Sequence, residues 1–426
     1  MERDLTSGSV FRNVIYFSLP YFLSYFLQTL YGMADLFIVG QFDGVASTTA
    51  VSIGSQVMHM LTVMIVGLAM GATVSIGQSI GAGDKKRASV FVGNTVTLFM
   101  GISLVLAVLL LFFVKPIVSV MSTPAEAVSG TAAYLTICFL GIPFITAYNV
   151  ISSIFRGLGD SKSPMYFIAV ACAVNIILDY LFIGFFHLGA SGAALGTTLS
   201  QACSVLFALI AIKRKQTGLS LSGDCFRPQK KPLGKILNIG IPVALQDGFI
   251  QIAFIVITEK IISFLFLIPS SMLSTVSALA AQNIGAGKYD RAKQTLRYAM
   301  MIAIGFGLVV SILIQFIAAP VVGLFTADAA VILLGAQYIR GYIWDCIFAG
   351  VHFSFSGYFC ACGKSGISFL HNLIAILCVR IPGVYLTSKI FPHTLFPMGL
   401  ATATGSLLSV IICIIAYRWL CEKSGK

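Results

Sequence analysis

Long apolar runs separated by short polar breaks give this chain its pattern. Runs of about 20 residues, enough for a helix to cross ~30 Å of hydrocarbon, recur twelve times. They begin near residues 14, 51, 90, 127, 165, 191, 236, 261, 298, 329, 367 and 396. The expected fold is therefore an all-α polytopic membrane protein with 12 transmembrane helices. One long polar stretch, Lys213 to Lys235, contains Gly218, Ser220, Ser222, Gly223, Pro228 and Pro232 among its charges and reads as a linker. It separates a leader (1–13) and N-lobe (14–212) from a C-lobe (236–420) and tail (421–426).

The halves repeat each other. Gln78-Ser-Ile-Gly-Ala-Gly83 with Arg87-Ala88 matches Gln282-Asn-Ile-Gly-Ala-Gly287 with Arg291-Ala292 at an offset of 204. The same offset pairs Tyr134 with Tyr338 and Gly159-Asp-Ser161 with Gly363-Lys-Ser365. Six helices per half and a linker on one side give both halves one orientation: two parallel six-helix repeats, forming N- and C-lobes around a central cleft. Pro20 and Pro242, however, pair at an offset of 222, so the second half is 18 residues short between Thr258 and Glu259. The expectation is an unusually tight helix 7–8 hairpin, from an engineered deletion, omitted residues or a naturally shortened loop. Intact mass compared with the gene distinguishes these.

Charge follows the same topology. The net charge of +12 could suggest nucleic acid, but only 10% of residues are charged and mean hydropathy is +0.95. All 27 Lys and Arg except Lys115, Lys260, Arg340, Arg380 and Lys389 fall in the even connections or at the two ends. By the positive-inside rule, both termini and the linker are cytoplasmic in a plasma (inner) membrane, with attraction to anionic membrane lipid as a side effect. No nucleic-acid partner is expected, and a monomer is. The start carries no cleavage site and reads as a cytoplasmic leader. The ten cysteines lack metal or redox spacing and read as packing residues.

Chemistry enters with Asn175-Ile-Ile-Leu-Asp179, in an apolar helix expected from about Met165 to Phe186. Four residues apart, the two side chains share a face. An ionised carboxylate near mid-bilayer costs ~2.5–3.5 kcal/mol on insertion scales, so it is expected to face protein or water, where a proton or cation offsets the cost. At the 204 offset these positions are Val379 and Gly383, so the site belongs to one lobe.

The ordered set of motifs resembles the MATE (multidrug and toxic compound extrusion) family over nearly the whole chain. It comprises Pro20 with Tyr31-Gly-Met-Ala-Asp35-Leu-Phe-Ile-Val-Gly40, the paired IGAGxxxRA turns, Arg156-Gly-Leu-Gly-Asp-Ser-Lys-Ser-Pro164, and Asn175 with Asp179. The resemblance implies efflux of cationic amphipathic drugs or dyes in exchange for H⁺ or Na⁺ by alternating access, with no cofactor. It also implies a cation site in the N-lobe from Asp35, Asn175 and Asp179, with Gln28, Thr197 and Asn149 at neighbouring polar positions. Two carboxylates in one apolar cavity cannot both stay ionised cheaply, so one takes a proton or they share a metal cation. Oxygens of Asp35, Asn175, Asp179 and Thr197 suit Na⁺, while the carboxylates alone suffice for H⁺. The plainer reading of Asn175 and Thr197, as residues that only bond helices together, is the weaker one. Pro20 removes a backbone hydrogen bond from helix 1 and marks either a switch or a plain kink.

In the second lobe, Gln246, Asp247, Glu259 and Asp345 are candidates for substrate contact or a second proton site, with Arg380 as a structural partner, for instance of Asp247. Tyr31, Tyr148, Trp344 and Phe353 are candidate cleft aromatics for cation–π contact, or simply core.

Other chemistries fit less well. The turns at Gly81 and Gly285 lack the phosphate-loop pattern and read as helix caps. The histidines, His59, His187, His352, His371 and His393, have no metalloenzyme spacing. A lipid-linked precursor flippase shares the two-lobed architecture but calls for a basic cavity, whereas here the membrane charges include Asp35, Asp179, Asp247 and Asp345. A membrane-embedded enzyme would need a nucleophile and base that are not found.

Overall fold

A computed structural model describes residues 5–214, 219, 221–255, 266–323 and 328–423. Glu259 and the shortened connection lie outside them. Among the described residues the chain is helical, without strands. In order the helices are α1 (Val10–Phe42), α2 (Val45–Gly81), α3 (Lys85–Val120), α4 (Val128–Leu140), α5 (Ile142–Gly157), α6 (Lys162–Asp179) and α7 (Gly189–Arg214). They continue as α8 (Lys230–Ile255), α9 (Leu267–Gly285), α10 (Tyr289–Gly323), α11 (Ala329–Tyr342), α12 (Asp345–Ala361), α13 (Ser365–Ala375), α14 (Ile381–Ile390) and α15 (Phe396–Lys423). Eight spans among the described residues are long and apolar enough to cross a membrane, and α4 with α5, bent by 51°, makes a ninth. The remaining three expected spans correspond to α8, α9 and the α11–α12 pair.

Several expected single helices are interrupted. Helix 4 breaks at Gly141, where a Cβ would lie 2.6 Å from Thr198 Cγ2. Helix 10 breaks between Tyr342 and Asp345. Helix 5 gives way after Asp179 to a π-helical turn, Tyr180–Phe185, and helix 11 contains another, Ile376–Arg380. Apolar run length cannot register these, because hydropathy is unchanged across them. Helices also start earlier than the apolar runs: α3 begins at Lys85, capped by Asp84 Oδ1 accepting from the Arg87 amide at 2.9 Å.

Residues Leu19–Ala244 pack as one compact unit; Leu5–Ser18 pack with Leu245 onward as another. Some internal contacts recur in both units at the 204 offset. Thr73 Oγ1 donates to the Ser153 carbonyl (3.0 Å) from α2 to α5, and Ser277 Oγ to the Gly357 carbonyl (3.3 Å) from α9 to α12. Gly83 and Gly287 have φ of +74° and +72°, and Gly159 and Gly363 of +92° and +72°. These second glycines, rather than Gly81 and Gly285, carry the left-handed cap, because Gly81 and Gly285 are still inside their helices. Exposed apolar stripes repeat as well: Leu104, Val105, Val108, Leu109 and Phe112 on α3, and Leu308, Val309, Ile312, Leu313 and Phe316 on α10. Such apolar faces turned outward while serines and threonines are buried fit a lipid solvent. Six cysteines, including Cys138 and Cys360, are buried, but Cys203 and Cys378 are exposed, so not all are packing residues.

The segments that precede α1 and α8, the helices carrying Pro20 and Pro242, are each held by polar contacts. Arg291 donates from Nη1 to the Gly8 carbonyl (2.8 Å) and from Nη2 to the Ser7 carbonyl (2.9 Å), and Lys288 Nζ to the Thr6 carbonyl (2.8 Å). In the first unit, Asn94 on α3 donates to the Cys225 carbonyl (3.0 Å) and accepts from the Gln229 amide (2.7 Å). Gly71 and Gly240 let α2 and α8 approach closely: a Cβ would stand 2.0 Å from the Ile236 carbonyl oxygen and 2.2 Å from that of Leu68.

Candidate functional site

The N-terminal unit brings Asp35, Asn175, Asp179 and Thr197 together from α1, α6 and α7. All four are buried: Asp35 is 3% exposed, Thr197 5%, and Asn175 and Asp179 0%. Asn175 and Asp179 share one face of α6 because they are four residues apart. Thr197 Oγ1 donates to Asp35 Oδ2 at 3.3 Å. Asp35 and Asp179 are direct electrostatic neighbours with Asn175 beside them. Asp35 Oδ1, both Asp179 oxygens and both polar atoms of the Asn175 amide have no hydrogen-bond partner among the described residues. An unpartnered buried polar atom costs on the order of 1–3 kcal/mol, more when charged, so this concentration of open valences is suited to a proton or small cation.

Gly196 is the residue that sequence reading missed. A Cβ there would fall 2.1 Å from Asp179 Oδ1 and 3.5 Å from Asn175 Nδ2, so its hydrogen side chain makes room for the carboxylate. The signal was present in the small-residue run Gly189-Ala-Ser-Gly-Ala-Ala-Leu-Gly196, which permits close helix approach. Tyr31, proposed for the cleft, stands beside this site, next to Asp35, Asp179 and Thr197, as do Tyr134 and Cys138. The π turn starting at Tyr180 re-aims the helix directly after Asp179, a backbone irregularity common at functional sites.

The other residues expected here are placed differently. Asn149 is buried but its amide donates to the Ile145 carbonyl of its own helix at 2.8 Å. Gln28 is half-buried, two turns before Asp35 on α1. Pro20 lies inside the unbroken helix α1, with Ser24 Oγ donating to its carbonyl at 2.7 Å. Tyr148 belongs to a core cluster with Ile151, Phe155, Phe167 and Ile168. Arg156 stacks 4.5 Å over the Tyr21 ring nearby.

In the second unit the acids follow another logic. Arg380, expected opposite Asp247, instead faces Asp345: Nη2 lies 3.6 Å from Asp345 Oδ1 and also donates to Ser406 Oγ. Asp345 is 0% exposed, so the break before α12 buries a charge that its guanidinium partner compensates. Gly405 makes the space, since a Cβ there would meet Arg380 Cγ at 2.4 Å. The network continues from Ser406 to His352 Nε2 (3.4 Å), and His371 Nε2 lies 2.9 Å from Ser356 Oγ. Gln246 accepts from Ser368 at 2.7 Å, while Asp247 is half-buried near Cys360. Phe353 is buried against Phe266, and Trp344 packs beside an apolar core. Among the described residues no group of histidine, cysteine and acidic side chains is arranged to hold a metal by itself.

A multi-pass helical protein with duplicated units and a buried carboxylate group has the build of a membrane transporter. The MatE family profile matches residues 20–181 and 243–386, and the chain belongs to this MATE family of transporters. It is 28% identical over 434 residues to the probable multidrug resistance protein YpnP of Bacillus subtilis, covering 98% of this chain and 96% of that one. The multidrug export protein MepA of Staphylococcus aureus is 28% identical over 430 residues, with 96% and 94% covered. An outward-facing multidrug resistance MATE transporter of the MOP superfamily superposes with a TM-score of 0.89, at 22% identity, over 98% of this chain and 97% of that one. A MOP superfamily transporter from Pyrococcus furiosus gives 0.91 at 22% identity, with 99% and 98% covered. The fold is therefore the two-lobed, twelve-helix MATE fold.

Proposed function

We propose that the chain is a secondary active multidrug efflux transporter, exporting cationic amphipathic compounds in exchange for H⁺ or Na⁺ by alternating access. The observation that carries this reading is the buried group of Asp35, Asn175, Asp179 and Thr197, in which three of the four carboxylate oxygens have no hydrogen-bond partner among the described residues. A carboxylate pair that binds a cation on one side of the membrane and releases it on the other gives one lobe two charge states. Drug export is supported by the full-length likeness to relatives named for multidrug resistance and export. The excess of lysine and arginine in the even connections supports cytoplasmic termini in the plasma membrane.

The test is dye transport by the purified protein in vesicles under an imposed H⁺ or Na⁺ gradient. Dye should accumulate against its gradient under one of the two ions and not without either. Asp179→Asn should reduce this to the passive leak while dye still binds. Gradient-driven efflux that survives Asp179→Asn at the wild-type rate would refute the coupling role.

A further inference from the structure

The linker side of the N-terminal unit carries a second feature, outside the carboxylate site. An apolar groove of about 480 Å³ runs along α3 and under the start of α8, lined by Thr97, Gly101, Val105, Leu109, Pro228 and Leu233 among others. Residues 97, 101, 105 and 109 recur every four positions, so the groove follows one face of α3. Val105 and Leu109 are 61% and 50% exposed, so the groove opens outward. From Thr97 to Leu109 is twelve residues, about 18 Å of helix, which matches the depth of one leaflet of a ~30 Å hydrocarbon core.

The head of the groove is built and charged. Thr97 Oγ1 donates to the Phe226 carbonyl (2.8 Å), Asn94 holds Cys225 and Gln229, and Gly93 admits the Cys225 carbonyl, where a Cβ would be 2.2 Å away. These contacts pin Pro228 at the polar end of the apolar α3 face. The adjoining first turn of α8 is Lys230-Lys231-Pro232-Leu233, with both lysines exposed. Lys230 is three residues before Leu233 and so shares its face of the helix, above the groove. Arg227 stands alongside, partly offset by Asp224 at 3.3 Å. Lys230 and its neighbour Lys231, exposed and without a hydrogen bond or ion pair among the described residues, put two ammonium groups in the helical turn that adjoins a leaflet-deep apolar channel, which complements a molecule with an anionic head and a hydrocarbon tail.

We propose that this groove is a binding site for an anionic phospholipid, its phosphate at Lys230 and Lys231 and one acyl chain along Gly101, Val105 and Leu109. General attraction of a basic surface to anionic membranes does not require a groove, and an acyl-filled groove alone does not require lysines. Both features meeting at Pro228 and Leu233 is what specifies the ligand. The site is independent of the coupling chemistry and belongs to the unit that holds Asp35 and Asp179.

Native mass spectrometry of the full chain titrated in detergent with palmitoyl-oleoyl phosphatidylglycerol or phosphatidylcholine tests it. The wild type should retain one phosphatidylglycerol in clear preference to phosphatidylcholine. Lys230→Gln/Lys231→Gln should weaken phosphatidylglycerol by about thirtyfold, at roughly one basic residue's worth of attraction each, and leave phosphatidylcholine unchanged. Lys85→Gln/Lys86→Gln, an equally exposed pair at the start of α3, should change neither. Gly101→Leu, whose new side chain meets no atom within 4 Å at its Cβ, should fill the groove and weaken both lipids. Equal retention of the two lipids by the wild type, no retention at all, or wild-type retention by either the Lys230/Lys231 or the Gly101 variant would overturn the proposal. An equal loss in the Lys85/Lys86 variant would also overturn it, showing diffuse surface attraction instead.

Discussion

At the scale of single residues, two glycine-backed charges divide the labour between the lobes. Gly196 gives Asp179 its position, and Gly405 gives Arg380 its position. Alanine at 196 raises helix propensity by about 1 kcal/mol but puts a carbon where the carboxylate oxygen lies. Gly196→Ala should therefore keep or nearly keep the wild-type melting temperature while slowing gradient-driven dye transport about tenfold or more. A variant that transports normally would show that the carboxylate has room to move. In the second lobe, Arg380→Met leaves Asp345 buried without its partner, at a cost of about 3–5 kcal/mol. The double variant Asp345→Asn/Arg380→Met should recover most of that loss in a thermal unfolding cycle. Additive losses would mean that the 3.6 Å pair is not energetically coupled.

At the scale of elements, the cap glycines decide where helices stop. Gly83 and Gly287 sit at positive φ, where a Cβ costs about 1–2 kcal/mol, whereas Gly81 and Gly285 do not. Alanine at 83 or 287 should lower the melting temperature, and alanine at 81 should leave it within error. The π turns belong to the same scale. One follows Asp179 and the other ends on Arg380, so in both lobes the helix register shifts at the charged residue. Asn175 and Asp179 were legible as a pair because a four-residue spacing needs only a regular helix. The shift after Asp179 was not, since an apolar sequence reads alike in α and π geometry.

At the scale of the whole molecule, unit membership changes between Ser18 and Leu19 and again between Ala244 and Leu245, two residues from Pro20 and two from Pro242. The leader thus packs with the C-terminal unit, through Arg291, Lys288 and Asn283. Arg291→Ala removes the guanidinium that holds the Ser7 and Gly8 carbonyls, bonds worth about 1.5–3 kcal/mol each when charge-assisted. Limited proteolysis should cut the leader of that variant faster than that of the wild type, with the cut fragments otherwise unchanged. An unchanged cleavage rate would mean that the leader is held chiefly by Leu5 and Asn13 packing.

The sequence by itself determined the class, the helix order, the duplication and the acidic pair. Lipid solvent demands long apolar runs, and duplication repeats motifs at one offset, so both survive in a linear reading. The repeated Thr73–Ser153 and Ser277–Gly357 bonds are that offset expressed in three dimensions. Only the tertiary structure decided partners: that Asp345 takes Arg380, that Asn149 turns to its own helix, that Tyr31 joins Asp35, and that Gly196 opens space for Asp179. Those choices depend on which faces of distant helices meet, and a buried charge is satisfied by whatever group the packing brings within a few ångströms, a quantity no spacing along the chain encodes.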